Sequence, residues 1–312
     1  MNVKDATFYQ LAGDTAPPAR AFWMRADDGV RLRLALWAGQ DARGTVLLFP
    51  GRTEYAEKYA PFARRLNAAG YAVLTIDWRG QGLSDRLQPD PRLGHIGDFA
   101  DYQRDVVEMV VAAEALGLPR PWHLLGHSMG GCIGLAALDT GLPVATAAFS
   151  APMWGINLNR VPHRAAVLMA AIAMRIGHGG QPAPGSGGRG TYFLDEAFST
   201  NLLTCDVDEW TRLLREAAAW PDLTIGGASY AWLGAGLAEC ARLAALPSPG
   251  LPMMVSLGSA ETVVSAAAIR DRAARWPGAR LIEVEGLRHE IMMCLPERRQ
   301  LFLDALLDLF DA

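Results

Sequence analysis

Three separated stretches of this chain carry residue types that could together perform acyl transfer. The first is Gly126-His127-Ser128-Met129-Gly130-Gly131, placed after the apolar run 122–125 and before a helix-like stretch over 130–138. A Gly-x-Ser-x-Gly turn between strand and helix is so tight that residues flanking the serine must be small. The turn pushes the serine hydroxyl out at the end of the strand. The new helix then aims its unpaired N–H groups at the site, so the Met129 N–H is a candidate donor to an oxyanion. Ser128 is the candidate nucleophile.

Serine attacks poorly without a base, and the base needs a carboxylate to orient it. After a serine turn of this kind the partners follow in the order acid, then histidine. Glu261 lies just beyond the strand-like run 253–257, and His289 just beyond 281–284. Both sit where a loop leaves the end of a strand. Glu261 is therefore assigned as the acid and His289 as the base, with Asp271, inside a helical run, as the alternative acid. The remaining histidines fit less well. His127 adjoins the nucleophile and should point away from it, and His123 falls in a buried strand pattern. His163 and His178 read as surface groups.

The second oxyanion donor should come from the loop after 45–49, Pro50-Gly51-Arg52-Thr53-Glu54-Tyr55. The Arg52 N–H is assigned, with Gly51 allowing close approach. The Arg52 side chain is expected to pair with a nearby acid, the alternative being an anionic group of the substrate. In the segment from Asp77 to Ser84 the third glycine of a dinucleotide loop is missing, because position 85 is Asp85. It reads as a structural turn packed under the nucleophile loop. No metal cluster or phosphate-loop lysine appears, so neither metal nor cofactor is expected.

These residues need a scaffold. Two strand-like runs, 21–26 and 30–38, are joined by Asp27-Asp28-Gly29, a hairpin signal. Short apolar runs at 45–49, 71–76, 122–125, 144–149, 253–257 and 281–284 then alternate with helical stretches at 55–67, 99–115, 130–138, 266–276 and 297–309. That pattern predicts an α/β fold with a mostly parallel sheet covered by helices on both faces. The alternation breaks over 153–224, which predicts a mainly helical cap inserted between core segments 1–152 and 225–312. Within it, the apolar run 165–174 reads as a buried helix, the alternative being a lid surface that meets lipid. The segment 177–190 is rich in Gly and Pro and reads as a mobile loop.

With 51% hydrophobic and 20% charged residues, the chain can build a sizeable core. A net charge of −4 argues against nucleic acid as a partner. The first residues lack a leader pattern, and the longest strongly apolar run is too short to cross a bilayer. The four scattered cysteines read as free thiols. A cytoplasmic protein is expected, with transient membrane-surface contact through the cap.

Taken together, these motifs resemble the α/β-hydrolase superfamily, and more narrowly the bacterial lysophospholipase and monoacylglycerol lipase group. The resemblance spans Gly51 to Tyr59, Asp77 to Gly82, His95, Asp98 to Tyr102, the turn at Ser128 and His289-Glu290. It extends to Asn201, Leu203-Thr204 and Tyr230 to Leu233 in the inserted region. It implies a capped hydrolase that acts on single-chain acyl esters without a cofactor. Two departures stand out: Glu261 where relatives more often carry Asp, and Pro50 where many carry His. Met153, Trp154, Leu168, Met169 and Ile172 are candidates to line an acyl tunnel, with plain core packing as the alternative. Rival readings are a small-ester esterase, thioesterase, lactonase or perhydrolase of the same fold, or a non-catalytic binding protein.

Overall fold

The short apolar runs form strands with side chains buried on both faces. In the computed structural model, which describes residues 4–14, 16–39, 41–158 and 161–312, eight strands join one sheet. Met1 to Val3, on which the reading of the N-terminus rests, lie outside these residues. The strands are β1 (Arg20–Arg25), β2 (Arg31–Trp37), β3 (Gly44–Phe49), β4 (Tyr71–Asp77), β5 (Trp122–His127), β6 (Thr146–Ser150), β7 (Met253–Gly258) and β8 (Arg280–Val284). Their spatial order is β1-β2-β4-β3-β5-β6-β7-β8. β2 runs antiparallel to β1 and β4, and the strands from β4 to β8 are parallel. The α/β class, the opening hairpin and the two-faced sheet expected from the sequence are all present.

Alternation along each strand divides the core. Leu47, Leu74, Leu124 and Phe149 face one cluster, while Val46, Val73, Leu125 and Ala148 face another. The first is covered by α2 (Asp101–Ala115), α3 (Met129–Asp139) and α8 (Ala266–Ala274), through residues such as Met109, Ile133 and Ile269. The second is covered by α1 (Ala60–Ala68) and α9 (Pro296–Phe310), through Phe62, Leu66, Phe302 and Leu306. Near-continuous apolar strands are what burial on both faces requires.

Between β6 and β7 the chain inserts α4 (His163–Arg175), α5 (Tyr192–Asp195), α6 (Val207–Ala219) and α7 (Tyr230–Ala245). Here two expectations are corrected. The run 165–174 is helical but is not a buried helix: α4 buries only Ala166, Ala170 and Ala173, with Ala166 packed among Leu233 and Leu237 of α7 and Ala170 against Gly234. Small residues let the two helices approach, and the large side chains turn outward, with Leu168 61% and Ile172 52% exposed. Leu168 and Ile172 are thus on the surface and not inside a tunnel. The segment 177–190 is irregular but tied down. Ala183, Tyr230, Ala231 and Gly227 N–H groups donate to Ala228, Gln181, Gly179 and Gly188 carbonyls. Gly226 and Gly227 make this possible, since a Cβ at either would strike the backbone of 186–189.

Among the described residues no helix is long and apolar enough to cross a membrane. The four cysteines are free, as expected.

Candidate active site

Ser128 sits between β5 and α3 with φ 50° and ψ −118°, a conformation costly for any residue with a side chain. Neighbouring backbone holds it there. Its N–H donates to Ser150 O at 3.1 Å, and its carbonyl accepts from Gly131 N at 2.9 Å and Met153 N at 2.8 Å. The glycines perform the packing their positions predict. A Cβ on Gly130 would collide with the Phe49 carbonyl, and one on Gly131 would stand 2.9 Å from Pro152 Cα. α3 therefore starts hard against the end of β3, which brings Ser128 beside the 50–53 loop.

Glu261 and His289 meet at the far ends of β7 and β8. Glu261 Oε2 accepts from His289 Nδ1 at 2.7 Å, with both side chains buried. Its other oxygen accepts from Val263 N at 2.6 Å and Val264 N at 3.1 Å. Burial works to raise the Glu261 pKa, but the His289 hydrogen bond and charge and the two backbone donors outweigh it and hold the group below the usual value. The carboxylate is ionised, and it fixes the histidine with Nδ1 as donor, leaving Nε2 to exchange a proton. The two loops are bonded to each other, Ala260 N to Leu287 O at 2.9 Å and Gly286 N to Ser259 Oγ at 2.9 Å. The imidazole of His289 packs 4.9 Å, centroid to centroid, from that of His127, the residue before the serine. Asp271, exposed on α8, instead pairs with Arg275 at the end of that helix.

The two candidate oxyanion donors are both unengaged. Among the described residues, no acceptor engages the Arg52 or Met129 N–H. Asp77 and Gln81 hold the 50–56 loop: Asp77 Oδ1 accepts from Ala56 N at 2.9 Å and Gln81 Oε1 from Thr53 N at 2.6 Å. Trp78 Nε1 donates to Pro50 O at 2.8 Å. The turn from Asp77 to Ser84 is thus structural, as its sequence reads, and it holds the 50–56 loop that abuts the serine turn.

The Arg52 side chain departs from its expected pairing. No carboxylate lies within ion-pair distance of it among the described residues. The acid nearest in sequence, Glu54, is already committed to Gly51 N, Tyr59 and Lys58.

That commitment reveals a buried network for which the sequence reading assigned no role. Lys58 Nζ bonds both Glu54 and Glu290, the latter at 2.6 Å. His127 Nε2 lies 3.4 Å from Glu290 and 3.6 Å from Glu54. Burial alone would lower the His127 pKa, but the two carboxylates beside it raise it. Glu54, His127 and Glu290 are metal-ligand types close enough to share an ion, yet Lys58 already places its ammonium between the two acids. The network joins the oxyanion loop through Glu54, the serine turn through His127 and the histidine loop through Glu290. The sole local signal in sequence was the i,i+4 spacing of Glu54 and Lys58.

The inserted region supports the same loop. Glu290 N donates to Leu203 O at 2.9 Å, Arg288 to Thr204 O at 3.2 Å and Thr204 Oγ1 to Met293 O at 2.6 Å. Asn201 Oδ1 shapes that turn by accepting from Leu203 N and Thr204 N. Of the substrate-lining candidates, Gly51 lies in the oxyanion loop, and Met153 and Trp154 are buried beside the serine turn. Trp154 Nε1 donates to Gly131 O at 3.1 Å, and its ring packs on Phe149, so it takes the core role. Met169 is half-buried on α4.

A strained serine beside two free N–H groups, with an oriented histidine on the adjoining loop, is an arrangement for acyl transfer. Comparison with known proteins agrees. The family described as serine aminopeptidase, S33 matches residues 40–294. Lysophospholipase L2 of Escherichia coli strain K12 is 32% identical, over 96% of this chain and 92% of its own length. A probable lysophospholipase L2 of Haemophilus influenzae is 28% identical, over 80% of this chain and 78% of its own. A soluble variant of monoglyceride lipase from Saccharomyces cerevisiae superposes with a TM-score of 0.73 at 17% identity, covering 95% of this chain and 97% of that one. With matching fold and matching sequence, the chain belongs to the serine aminopeptidase S33 family of α/β-hydrolases.

Proposed function

We propose that this protein hydrolyses the carboxylic ester of single-chain lipids, lysophospholipids and monoacylglycerols, through an acyl-enzyme on Ser128. The observation that carries the reading is the Glu261–His289 pair, bonded at 2.7 Å and packed against the residue before Ser128. His289 Nε2 takes the hydroxyl proton as Ser128 Oγ bonds the ester carbon. The Arg52 and Met129 N–H groups hold the oxyanion. His289 then gives the proton to the departing alcohol. Water, deprotonated in turn by His289, attacks the acyl-enzyme and releases the fatty acid. No cofactor takes part in these steps.

The single-chain substrate rests on the relatives, two of which are named lysophospholipases. The cap, residues 153–224, suits an aggregated substrate. From Val161 to His178 it carries Arg164, Arg175 and two histidines, no acidic residue, and the exposed row of Leu168 and Ile172. We assign this face to transient contact with an anionic lipid surface. Leu168→Glu with Ile172→Glu should abolish co-sedimentation with phosphatidylglycerol vesicles, and undiminished binding would remove this assignment.

The substrate reading is tested by a panel of purified esters. It predicts turnover of long-chain lysophospholipid and monoacylglycerol. Turnover confined to acetyl or butyryl esters, thioesters or lactones would replace it with one of those activities.

A further inference from the structure

We infer that the Arg52 guanidinium is the subsite for the phosphodiester of a lysophospholipid head group, on the leaving-alcohol side of the ester. This deepens the substrate reading above and rests on it. The guanidinium sits at the seam where the 93–96 loop meets the inserted region, with Nη1 donating to Gly226 O at 3.1 Å. Its carbon lies 5.2 Å from the centre of the Trp232 ring. Nη1 fills the place that a side chain at position 94 would take, 2.8 Å from a Cβ built on Gly94. The seam is pinned by Gly94 N to Gly227 O, Ser229 N to Gly94 O, and His95 to Ser229.

Three features distinguish this arginine from its structural counterparts. Arg33 and Arg79 are fully buried, and each is matched by two carboxylates. Arg52, half-buried, has none, and burial pushes its pKa down to about 10, so its charge stands without a counter-ion. Its Nε and Nη2 have no partner among the described residues, and neither is sealed from solvent-sized space, whereas Arg79 Nη2 and Arg299 Nε are. A half-buried cation with no counter-ion and free donors facing open space is a site for an anion. The planar fork suits the two unesterified oxygens of a phosphodiester.

Geometry relates this subsite to the reaction. The backbone N–H of the same residue is the oxyanion donor, so the guanidinium lies one arginine side chain from the reacting carbonyl. In a lysophospholipid the glycerol carbons place the phosphate a comparable span from the ester. A monoacylglycerol has the same ester and no anion there, so the fork can separate the two substrates.

The test compares 1-acyl lysophosphatidylglycerol with the 1-monoacylglycerol of the same chain, both below their aggregation concentrations, in wild type, Arg52→Lys and Arg52→Met. Wild type should prefer the lysophospholipid in kcat/KM by about ten- to a hundred-fold, the span expected of a charge-assisted hydrogen-bond pair. Arg52→Met should erase that ratio, chiefly through KM, and Arg52→Lys should retain part of it. A merely structural arginine would lower both substrates alike and leave the ratio unmoved, which overturns the inference. A wild type without preference overturns it too, whether or not the variants fold. Inorganic phosphate should not inhibit monoacylglycerol turnover at micromolar levels, and inhibition there would make free phosphate the ligand instead. Turnover of neither lipid by wild type would defeat the substrate reading itself.

Discussion

Replacing Glu261 by Gln changes one oxygen for one NH2 and asks whether the acid acts by setting the histidine tautomer. In the native protein Oε1 accepts two backbone N–H groups and Oε2 accepts the proton on His289 Nδ1. The two backbone donors keep the amide oxygen of Gln in the Oε1 place. Its NH2 then faces Nδ1 and donates to it. His289 must carry its proton on Nε2, where it cannot accept one from Ser128. Loss of the correct tautomer in a serine triad costs on the order of 10⁴-fold in kcat. That is about 5 kcal/mol of transition-state stabilisation. Stability should barely change, because the three contacts survive with one polarity reversed. The assay is kcat for a soluble p-nitrophenyl ester, with the melting temperature as control. A folded Glu261→Gln enzyme within tenfold of wild type would refute the acid assignment.

Other perturbations probe the scaffold. Lys58→Met removes the ammonium shared by Glu54 and Glu290 and leaves His127 as the one cationic group beside two buried carboxylates; it should destabilise the protein by about 3–5 kcal/mol, read from its urea midpoint, and an unchanged midpoint would mean that the network carries no such load. Gly130→Ala sets a methyl against the Phe49 carbonyl, so either the serine turn or the oxyanion loop must move; activity should collapse, with a stability loss of about 1–3 kcal/mol. His123, stacked 4.2 Å from Phe310, has its pKa pushed down to about 4 by burial. Between that value and 6.5 the unfolded chain binds the extra proton, so stability present above pH 6.5 is lost as pH falls toward 4, by at most about 3 kcal/mol. His123→Phe should flatten that acid limb in pH-dependent melting, and an unaltered limb would place its source elsewhere.

The parts of the site legible in sequence are those that a strand end fixes. Ser128, Glu261 and His289 each follow an apolar run directly, and a parallel sheet delivers such positions to one edge. What needed coordinates was facing. In α4 the apolar residues are so frequent that composition names no buried side, and alanines such as 166 and 170 prevail because they let α7 approach. The same limit applied to Arg52, whose neighbours in sequence include Glu54 and Glu57. Both acids are taken by Lys58 and Arg33, and that prior commitment is a tertiary fact. The segment 177–190 looked mobile because the partner that holds it, 226–231, is remote in sequence.

The most direct measurement of the whole account is mass-spectrometric mapping of a fluorophosphonate adduct on the purified protein. The adduct should fall on Ser128 alone and form far more slowly in His289→Ala. Labelling that persists in a folded Ser128→Ala protein, or none in wild type, would contradict it.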